Sequence, residues 1–455
     1  MSMMRRFVLP LVLVLNACVP VTPGDTPTRA LPQASDLPPM KTFGAPKPDM
    51  PIRSNNDLAL DFIELSFQLE SGRDLPVFTR FEGPISVRVT GAPPTSLGTD
   101  LRRLMHRLRS EAGIDIYEAA PGNAANITIQ AVSRAQIRRA LPHAACFVVP
   151  NITDISQYKP NRRSVRTSWS NLRTREQLAI FLPNDASPQE VRDCLHEELA
   201  QAIGPLNDLY RLPDSVFNDD NVHTVLTGFD MMILKAYYAP ELRSGMTRGQ
   251  VAAKLPGILA RINPGGEGLP AQFATRTPRA WSEAVQTALG PGATPAQRRA
   301  AAARALEIAK AMGWKDNRRA FAHYANGRLL LASDPQAAQT QFRAADQFYA
   351  ATKGAELHRA YVATQLAAYA ITRGDGEGAS VLLAPHIDQA ARNENAALLS
   401  TLLLLRAEAL DLQGRSAEAR TVRLDSLGWA RYGFGPDWAV RAKLREISSL
   451  NPLNG

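Results

Sequence analysis

Two adjacent glutamates and a glutamine on one predicted helix are the residues of this sequence best suited to chemistry. Glu197 and Gln201 lie one helical turn apart and share a face, with Glu198 beside them. Their carboxylate and amide oxygens are ligands that suit calcium, magnesium or manganese better than zinc. Asn207 and Asp208 follow and are candidate further ligands, or partners in a polar network.

The helix that carries these residues has recognisable ends. Residues 187–190 read Ser-Pro-Gln-Glu, a capping box that places proline at the first helical position. Gly204 predicts the end of the helix, in the left-handed conformation that is usual for a terminal glycine. His196 projects away from Gln201, which predicts a partly exposed surface side chain. The predicted buried stripe consists of Val191, Leu195, Leu199 and Ala202.

The segments before this helix predict the rest of an α/β domain over residues 53–250. Residues 101–108 have helical spacing. Short apolar or alternating segments predict strands at residues 85–89, 127–132, 146–149 and 178–182. A basic stretch at residues 159–175 is predicted to be a solvated loop, with anionic head groups or cell-wall polymer as the alternative partner.

The N-terminus predicts export. Arg5 and Arg6 precede an apolar run at residues 7–15 that is too short to span a bilayer and has the size of a signal-peptide core. Residues 15–18 read Leu-Asn-Ala-Cys and resemble the lipobox of bacterial lipoproteins, although asparagine is unusual at its position. The resemblance implies removal of residues 1–17 and a lipid, with palmitate among its acyl chains, on Cys18. An ordinary signal peptide is the alternative.

A lipid on Cys18 sets the expected location and partners. Residues 18–52 are rich in proline and predict a disordered tether that holds the folded part away from the membrane. Val19, with no aspartate after the cysteine, resembles lipoproteins sorted to the outer membrane. We therefore expect a periplasm-facing protein anchored to the membrane by its lipid, and no nucleic-acid partner.

The two remaining cysteines predict a disulfide. Cys146 adjoins an apolar strand and Cys194 lies on the capped helix, in a chain expected in the oxidising periplasm. Two separately buried thiols are the alternative.

The helix and the loop after it resemble two families. Residues 197–208 follow the metzincin pattern H-E-x-x-H-x-x-G-x-x-H/D, with Glu198 as the base glutamate and Gly204 in place. Glu197 and Gln201 stand where that family has histidines. Ala200 rules out the other register, which would start at His196. Residues 53–250 are also similar to a family of proteobacterial lipoproteins with the domain of unknown function numbered 2927, through features that include Cys194, Gly204 and residues 215–219.

These resemblances imply a zincin-like fold more than a zinc enzyme. Zinc sites in that family need two imidazoles one helical turn apart, and this chain has oxygen ligands there. No cofactor is expected, with a divalent cation as the alternative. An inactive, pseudo-metallopeptidase domain is favoured, in which Glu197, Glu198 and Gln201 tie the helix to the following loop.

The last part of the chain predicts helical repeats. From residue 294 the composition turns to Ala, Leu, Arg and Gln with helical spacing, after a linker at residues 251–293. Breaks recur at residues 333–334, 373–375 and 413–415, and Gly374 and Gly414 are forty positions apart. Small residues follow each break: Ala337, Ala338, Gly378, Ala379 and Ala419. The pattern resembles tetratricopeptide repeats, which implies a concave groove for a peptide or partner helix, with a plain bundle as the alternative.

The sequence thus predicts an α+β zincin-like domain followed by an all-α tetratricopeptide-like helical repeat domain over residues 294–455. As a binding or scaffold protein, the chain would hold another envelope protein or peptide with the repeats. As a metal-dependent, peptidase-like hydrolase, it would use Glu198 as base.

Overall fold

The apolar segments of the first half of the chain form one mixed sheet in this computed structural model, which describes residues 35–44 and 48–454. Its five strands lie in the order β2-β1-β3-β5-β4. They are β1 (Ile85–Gly91), β2 (Ile116–Glu118), β3 (Ile127–Val132), β4 (Phe147–Pro150) and β5 (Leu178–Pro183). The edge strand β4 is antiparallel to β5, and the other neighbours are parallel. The sequence missed β2, which has only three residues.

Strand β5 shows how the sheet divides the core. Every residue of this strand is buried, as expected for a central strand of a largely parallel sheet. Leu178, Ile180 and Leu182 belong to the larger apolar cluster, whereas Ala179 and Phe181 belong to a smaller one on the opposite face. The sheet is therefore covered on both faces.

Seven helices accompany this sheet among the described residues. They are α1 (Asn55–Ser66), α2 (Leu97–Ala112), α3 (Arg134–Ala140), α4 (Ile155–Asn161), α5 (Pro188–Ile203), α6 (Gly228–Tyr237) and α7 (Arg248–Ile262). Helix α7 corrects the predicted linker at residues 251–293. Val251, Leu255 and Leu259 are fully buried in the core of the first domain, because a helical stripe of apolar residues continues past residue 250.

After α7 the described chain is helical, apart from turns and an irregular segment at residues 270–278. Its helices are α8 (Arg279–Leu289), α9 (Pro295–Ala311), α10 (Asn317–Leu330), α11 (Pro335–Ala350), α12 (Glu356–Thr372), α13 (Gly376–Arg392), α14 (Ala396–Leu412), α15 (Ser416–Phe434) and α16 (Asp437–Ser448). Helix α8 also lies in the predicted linker, with Trp281 fully buried in the helical core. We call α8–α16 the helical region.

The predicted repeat breaks are the turns between paired helices. They separate α10 from α11, α12 from α13 and α14 from α15. Gly374 and Gly414 both have φ of 75°, which favours glycine. Ala338, Ala379 and Ala419 are completely buried, so they allow close approach of the paired helices. The all-α, repeat-like nature of this region is confirmed.

The chain divides into residues 1–36 and residues 37–455. The predicted signal peptide and Cys18 lie outside the described residues. Part of the predicted tether is packed, because Leu37 and Phe43 are buried and Lys41 N donates to Gly428 O on α15 at 3.0 Å. Their apolar side chains interrupt the proline-rich composition. Within residues 35–44 and 48–454, no helix combines the length and apolarity needed to cross a membrane.

Candidate functional site

Helix α5 begins where the capping box predicts. Ser187 Oγ accepts a hydrogen bond from Glu190 N at 3.2 Å, and Pro188 is the first helical residue. The helix ends before Gly204, but the predicted left-handed conformation is wrong, since Gly204 has φ −137° and ψ −136°. A Cβ at this position would lie 2.5 Å from Leu234 Cδ2. Glycine is needed here for close approach to α6.

Arg175 holds the end of helix α5. Its guanidinium donates to the carbonyls of Gln201 and Ala202, both at 2.8 Å, and of Gly204 at 2.6 Å. A buried cation at the carboxyl end of a helix satisfies free carbonyls and complements the helix dipole. Arg175 is only 2% exposed, so the predicted solvated loop is wrong at its last residue.

Five carboxyl groups gather beside α5, and we call them the acid cluster. They come from α5, from the turn after α1 and from the loop at residues 205–227, which we call the α5–α6 loop. The members are Glu70, Glu197, Glu198, Asp208 and Asp219. Glu198 is 5% exposed, and Gln201 Nε2 lies 3.4 Å from Glu70 Oε1. Glu198 Oε2 and Asp208 Oδ1 are buried without a hydrogen-bond partner in the described part of the chain.

Burial and mutual repulsion keep these carboxyls protonated to higher pH than usual. Burial raises the pKa of Glu197 to about 7, and the charges of Glu70 and Asp219 contribute to the rise. Burial raises the pKa of Glu198 well above its usual value, with Glu197 and Glu70 adding to the effect. The pKa of Asp208 is raised well above its usual value for the same reasons. Among the described residues, the causes of these shifts at Glu197, Glu198 and Asp208 are burial and neighbouring carboxylates.

The acid cluster does not form a preassembled metal site. Across residues 35–44 and 48–454, no group of three or more His, Cys, Asp or Glu side chains could hold a metal ion. Asn207, one of the two candidate third ligands, donates from Nδ2 to Glu64 O at 3.0 Å and ties the loop to α1. Three of the predicted site residues interact electrostatically: Glu197, Glu198 and Asp208. A fourth, Gln201, lies within hydrogen-bonding distance of Glu70.

The predicted polar network takes a different form. No hydrogen bond from Glu197 or Glu198 to the α5–α6 loop exists among the described residues. Instead, Asp230 of α6 accepts from Ser215 Oγ at 2.5 Å, Val216 N at 3.1 Å and Thr227 N at 2.7 Å. Burial raises the pKa of Asp230 to about 6, against the effect of these hydrogen bonds. Asp230 thus orders the loop around residues 215–216, which belong to the segment 215–219 that resembles the family with domain 2927.

His196 is a buried link and not a surface side chain. It is 5% exposed, and its Nδ1 accepts from Leu226 N at 3.1 Å. Burial lowers its pKa well below the usual value, with Arg192 and Arg107 acting in the same direction, so the ring is neutral. The prediction was wrong because helix projection considered only α5 and not the loop that packs over it.

The predicted disulfide is present. Cys146 and Cys194 are bonded, with their Cα atoms 5.9 Å apart. The bond joins the segment before β4 to the middle of α5. It therefore holds the helix that carries the acid cluster against the antiparallel edge of the sheet.

The helical region covers the α5–α6 loop. Asn317 Nδ2 donates to Tyr210 O at 2.6 Å, and His358 Nε2 lies 2.8 Å from Asp220 Oδ2. Gln286 Nε2 lies 3.4 Å from Asp219 Oδ2, which also accepts from Tyr210 at 2.8 Å. The acid cluster is thus shielded in part by helices outside its own domain.

Glu70 and Asp219 were missed from the sequence as members of the acid cluster. Asp219 belongs to the segment after α5 that resembles a known family, which is the signal that points to it. Glu70 lies in a tight turn closed by Gly72 N donating to Leu69 O at 2.7 Å, and nothing in its neighbours indicates the cluster.

A groove lies on the surface of helices α11, α12 and α13. We call it the α11–α13 groove. Its lining mixes charged, amide and apolar side chains: Gln339, Arg343, Asp346, Gln347, Leu366, Tyr369, Ala370, Arg373, Asp375 and Leu382. It is separate from the acid cluster.

Comparison with known proteins identifies one family. Residues 55–257 match the family described as a protein of unknown function (DUF2927). The match runs from α1 into α7, so it includes α5 and the loop after it but not the helical region. No curated protein and no solved structure gives a significant match to this chain.

A pH dependence of stability is expected from the acid cluster. A carboxyl whose pKa is raised by folding binds its proton more tightly in the folded state, so stability falls as pH rises from about 4.5 through about 7 for Glu197. Because Glu197 keeps some exposure, we expect a loss of about 1–2 kcal/mol. Urea unfolding of chelator-treated protein across this range measures it.

The matched variants make this test specific. Glu197→Gln should flatten the pH profile and raise stability at the alkaline end, because the amide carries no charge. Glu377→Gln, on the exposed surface of α13, should leave the profile unchanged. An unchanged profile in Glu197→Gln would show that Glu197 does not titrate in this range.

Proposed function

We propose that this protein is a lipid-anchored, periplasm-facing binding protein that holds a peptide segment of an envelope partner in the α11–α13 groove. The lipobox resemblance at Cys18 supports the anchor. The Cys146–Cys194 disulfide supports an oxidising compartment. The α/β domain acts as a support for the helical region, and its acid cluster is not catalytic.

The observation that supports this proposal is that two arginines of the groove lack an acidic partner among the described residues. Arg343 and Arg373 have no acidic partner within the described ranges, and both are exposed. Tyr369 lies under the Arg373 guanidinium, 5.9 Å from it. Arginines held in a groove without a counter-charge are suited to carboxylates, which they bind with paired hydrogen bonds.

The two acidic residues of the groove are already engaged. Asp346 accepts from Arg359 Nε at 2.8 Å. Asp375 caps α13 by accepting from Gly378 N at 2.8 Å. The charge left for a ligand is therefore positive. Leu366, Leu382 and Tyr369 supply apolar contacts, so the occupant that fits is an acidic peptide with apolar side chains between its carboxylates.

Binding of short fluorescent peptides tests this function. Peptides of equal length that are acidic, neutral or basic are titrated with the protein and followed by anisotropy. We expect the acidic peptide to bind, and the double variant Arg343→Glu with Arg373→Glu to weaken it by about tenfold or more, which corresponds to about 1.4 kcal/mol.

The control uses two arginines outside the groove. Arg299 and Arg304 are exposed on α9, so Arg299→Glu with Arg304→Glu makes the same change in net charge. It should leave binding nearly unchanged. Equal weakening in both double variants would mean that binding follows net charge, and the groove would then not be the site.

A metal-dependent hydrolase is the second candidate. Glu198 favours it, because its Oε2 is buried and unpaired and its raised pKa suits a proton-transferring group. Residues 197–208, which resemble the metzincin motif, lie on α5 and the loop after it, and this resemblance supports a degenerate metzincin-like origin. The acid cluster would have to draw together around a cation, since the ligands are not preassembled.

A further inference from the structure

One tryptophan differs from the others in its surroundings. The chain has five tryptophans, and Trp438 of α16 is 72% exposed. Trp281 and Trp314 are buried, and Trp169 and Trp429 are half-buried. An exposed tryptophan presents a large apolar ring with a polar N–H, a combination suited to an interface with one apolar and one aqueous side.

Trp438 belongs to the outward stripe of α16. Val440 and Ile447 are buried and mark the inner side of this helix. Trp438, Arg441 and Arg445 lie at helical spacing on the opposite side, and all three are exposed. We call these three residues the α16 stripe. A tryptophan flanked by arginines is the combination that lies at the boundary between lipid head groups and acyl chains.

The start of the described chain lies beside this helix. Leu37 packs in one apolar cluster with Leu427, Ala430 and Val440. Pro38 O accepts from Arg431 Nη1 at 3.0 Å, and Phe43 stacks on Trp429 with ring centres 4.5 Å apart. Residues 37–43 are thus attached to α15 and α16. Val440 is shared with the inner side of the helix that carries the stripe.

Chain length limits how far the body can be from its anchor. Cys18 precedes Leu37 by nineteen residues. A fully extended chain spans at most about 3.5 Å per residue, which gives an upper limit of about 65 Å. A helix is only about 10 Å across, so the α16 stripe lies close to Leu37, the residue from which this length is measured.

We infer that the α16 stripe is a membrane-contact surface, in which Trp438 enters the head-group region and Arg445 meets anionic head groups. The inference rests on the lipid anchor of the proposed function and adds an orientation: α15 and α16 face the membrane. The single apolar ring and modest charge give weak binding alone, so the stripe acts once the lipid has brought the body to the surface.

Quenching by lipids tests the contact. The full lipoprotein is reconstituted into phosphatidylcholine vesicles with brominated acyl chains, with or without phosphatidylglycerol. We expect a loss of up to roughly a fifth of the tryptophan fluorescence, because one of five tryptophans is reached. The loss should be larger with phosphatidylglycerol, absent in Trp438→Phe and reduced in Arg445→Glu.

A moved tryptophan is the matched control. Val381 of α13 is 69% exposed, so Val381→Trp in the Trp438→Phe background presents an equally exposed ring elsewhere. It should not be quenched. Quenching that persists in Trp438→Phe, or equal quenching at position 381, would overturn the inference. So would protection of Trp438 from an aqueous quencher without lipid quenching, since that means a protein contact such as a second copy.

The anchor is measured separately on the same sample. Mass spectrometry reports the lipid on Cys18, and palmitate labelling should be lost in Cys18→Ser. A lipid on Cys18 with no Trp438 quenching would refute the stripe and leave the anchor standing. An unmodified Cys18 would refute the anchor. It would overturn the inference as well, because the stripe acts only once a lipid holds the body at the vesicle surface.

Discussion

Replacing Glu394 with glutamine is expected to lower the free energy of unfolding by about 1–3 kcal/mol, because the buried Arg192 guanidinium would lose its hydrogen-bonded carboxylate. Glu394 Oε2 accepts from Arg192 Nη1 at 2.9 Å, and Glu394 O accepts from the same guanidinium. The two side chains are 10% and 4% exposed. Arg192 comes from α5 and Glu394 immediately precedes α14, so the pair joins the two domains.

Neighbouring contacts make this junction cooperative. Gln189 Nε2 donates to Asn395 Oδ1 at 3.1 Å, and Ala397 N donates to Gln189 Oε1 at 2.8 Å. The Arg192 guanidinium also lies 5.1 Å from the centre of the Tyr432 ring. Loss of the Glu394 carboxylate should therefore weaken the contact between the two domains as well as break the ion pair with Arg192.

Urea unfolding with a double-variant control measures this effect. Arg192→Met combined with Glu394→Gln removes the guanidinium that has lost this carboxylate and should recover part of the stability lost in the single variant. Arg279→Met, which breaks an exposed ion pair with Glu283, should change stability by well under 1 kcal/mol. A Glu394→Gln protein as stable as the parent would show that the domains do not depend on this pair.

Loss of the Cys146–Cys194 disulfide is expected to lower the free energy of unfolding by roughly 3–4 kcal/mol. The bond closes a loop with a sequence separation of 48 residues, and restriction of the unfolded chain accounts for this magnitude. The variant Cys146→Ala with Cys194→Ala, compared with the parent in urea unfolding, gives the value.

Reduction provides the control for this prediction. The parent protein treated with a reductant should approach the stability of the double variant, and the double variant should not respond to the reductant. Two free thiols in the protein purified without reductant, found by mass spectrometry, would contradict the bond.

Elements with a strong local pattern could be predicted from the sequence. The capped start of α5, the central strands and the helix-turn-helix repeats depend on residues close in the chain, such as Ser187 and Gly374. The disulfide followed from composition and compartment. Strand β2 and the extension of the first domain through α7 were missed, since their place depends on distant packing.

The site shows the limit of local patterns more clearly. His196 and Arg175 were assigned to the surface because their partners, Leu226 N and the carbonyls at the end of α5, belong to segments that only the fold brings near. Glu70 lies 127 positions before Glu197, and no spacing rule connects them. The sequence does not show which carboxyl groups are buried next to each other. That arrangement decides which of them repel.

The choice between a binding protein and a metal-dependent hydrolase is tested most directly by the metal content of the purified protein after dialysis against metal-free buffer. We expect divalent metal well below one equivalent, because the acid cluster offers no preassembled site among the described residues, and burial raises the pKa of Glu198 and so disfavours its charged form. One equivalent that survives dialysis, is lost in Glu197→Gln, and accompanies a hydrolytic activity abolished by Glu198→Gln would contradict this assignment and establish the enzyme.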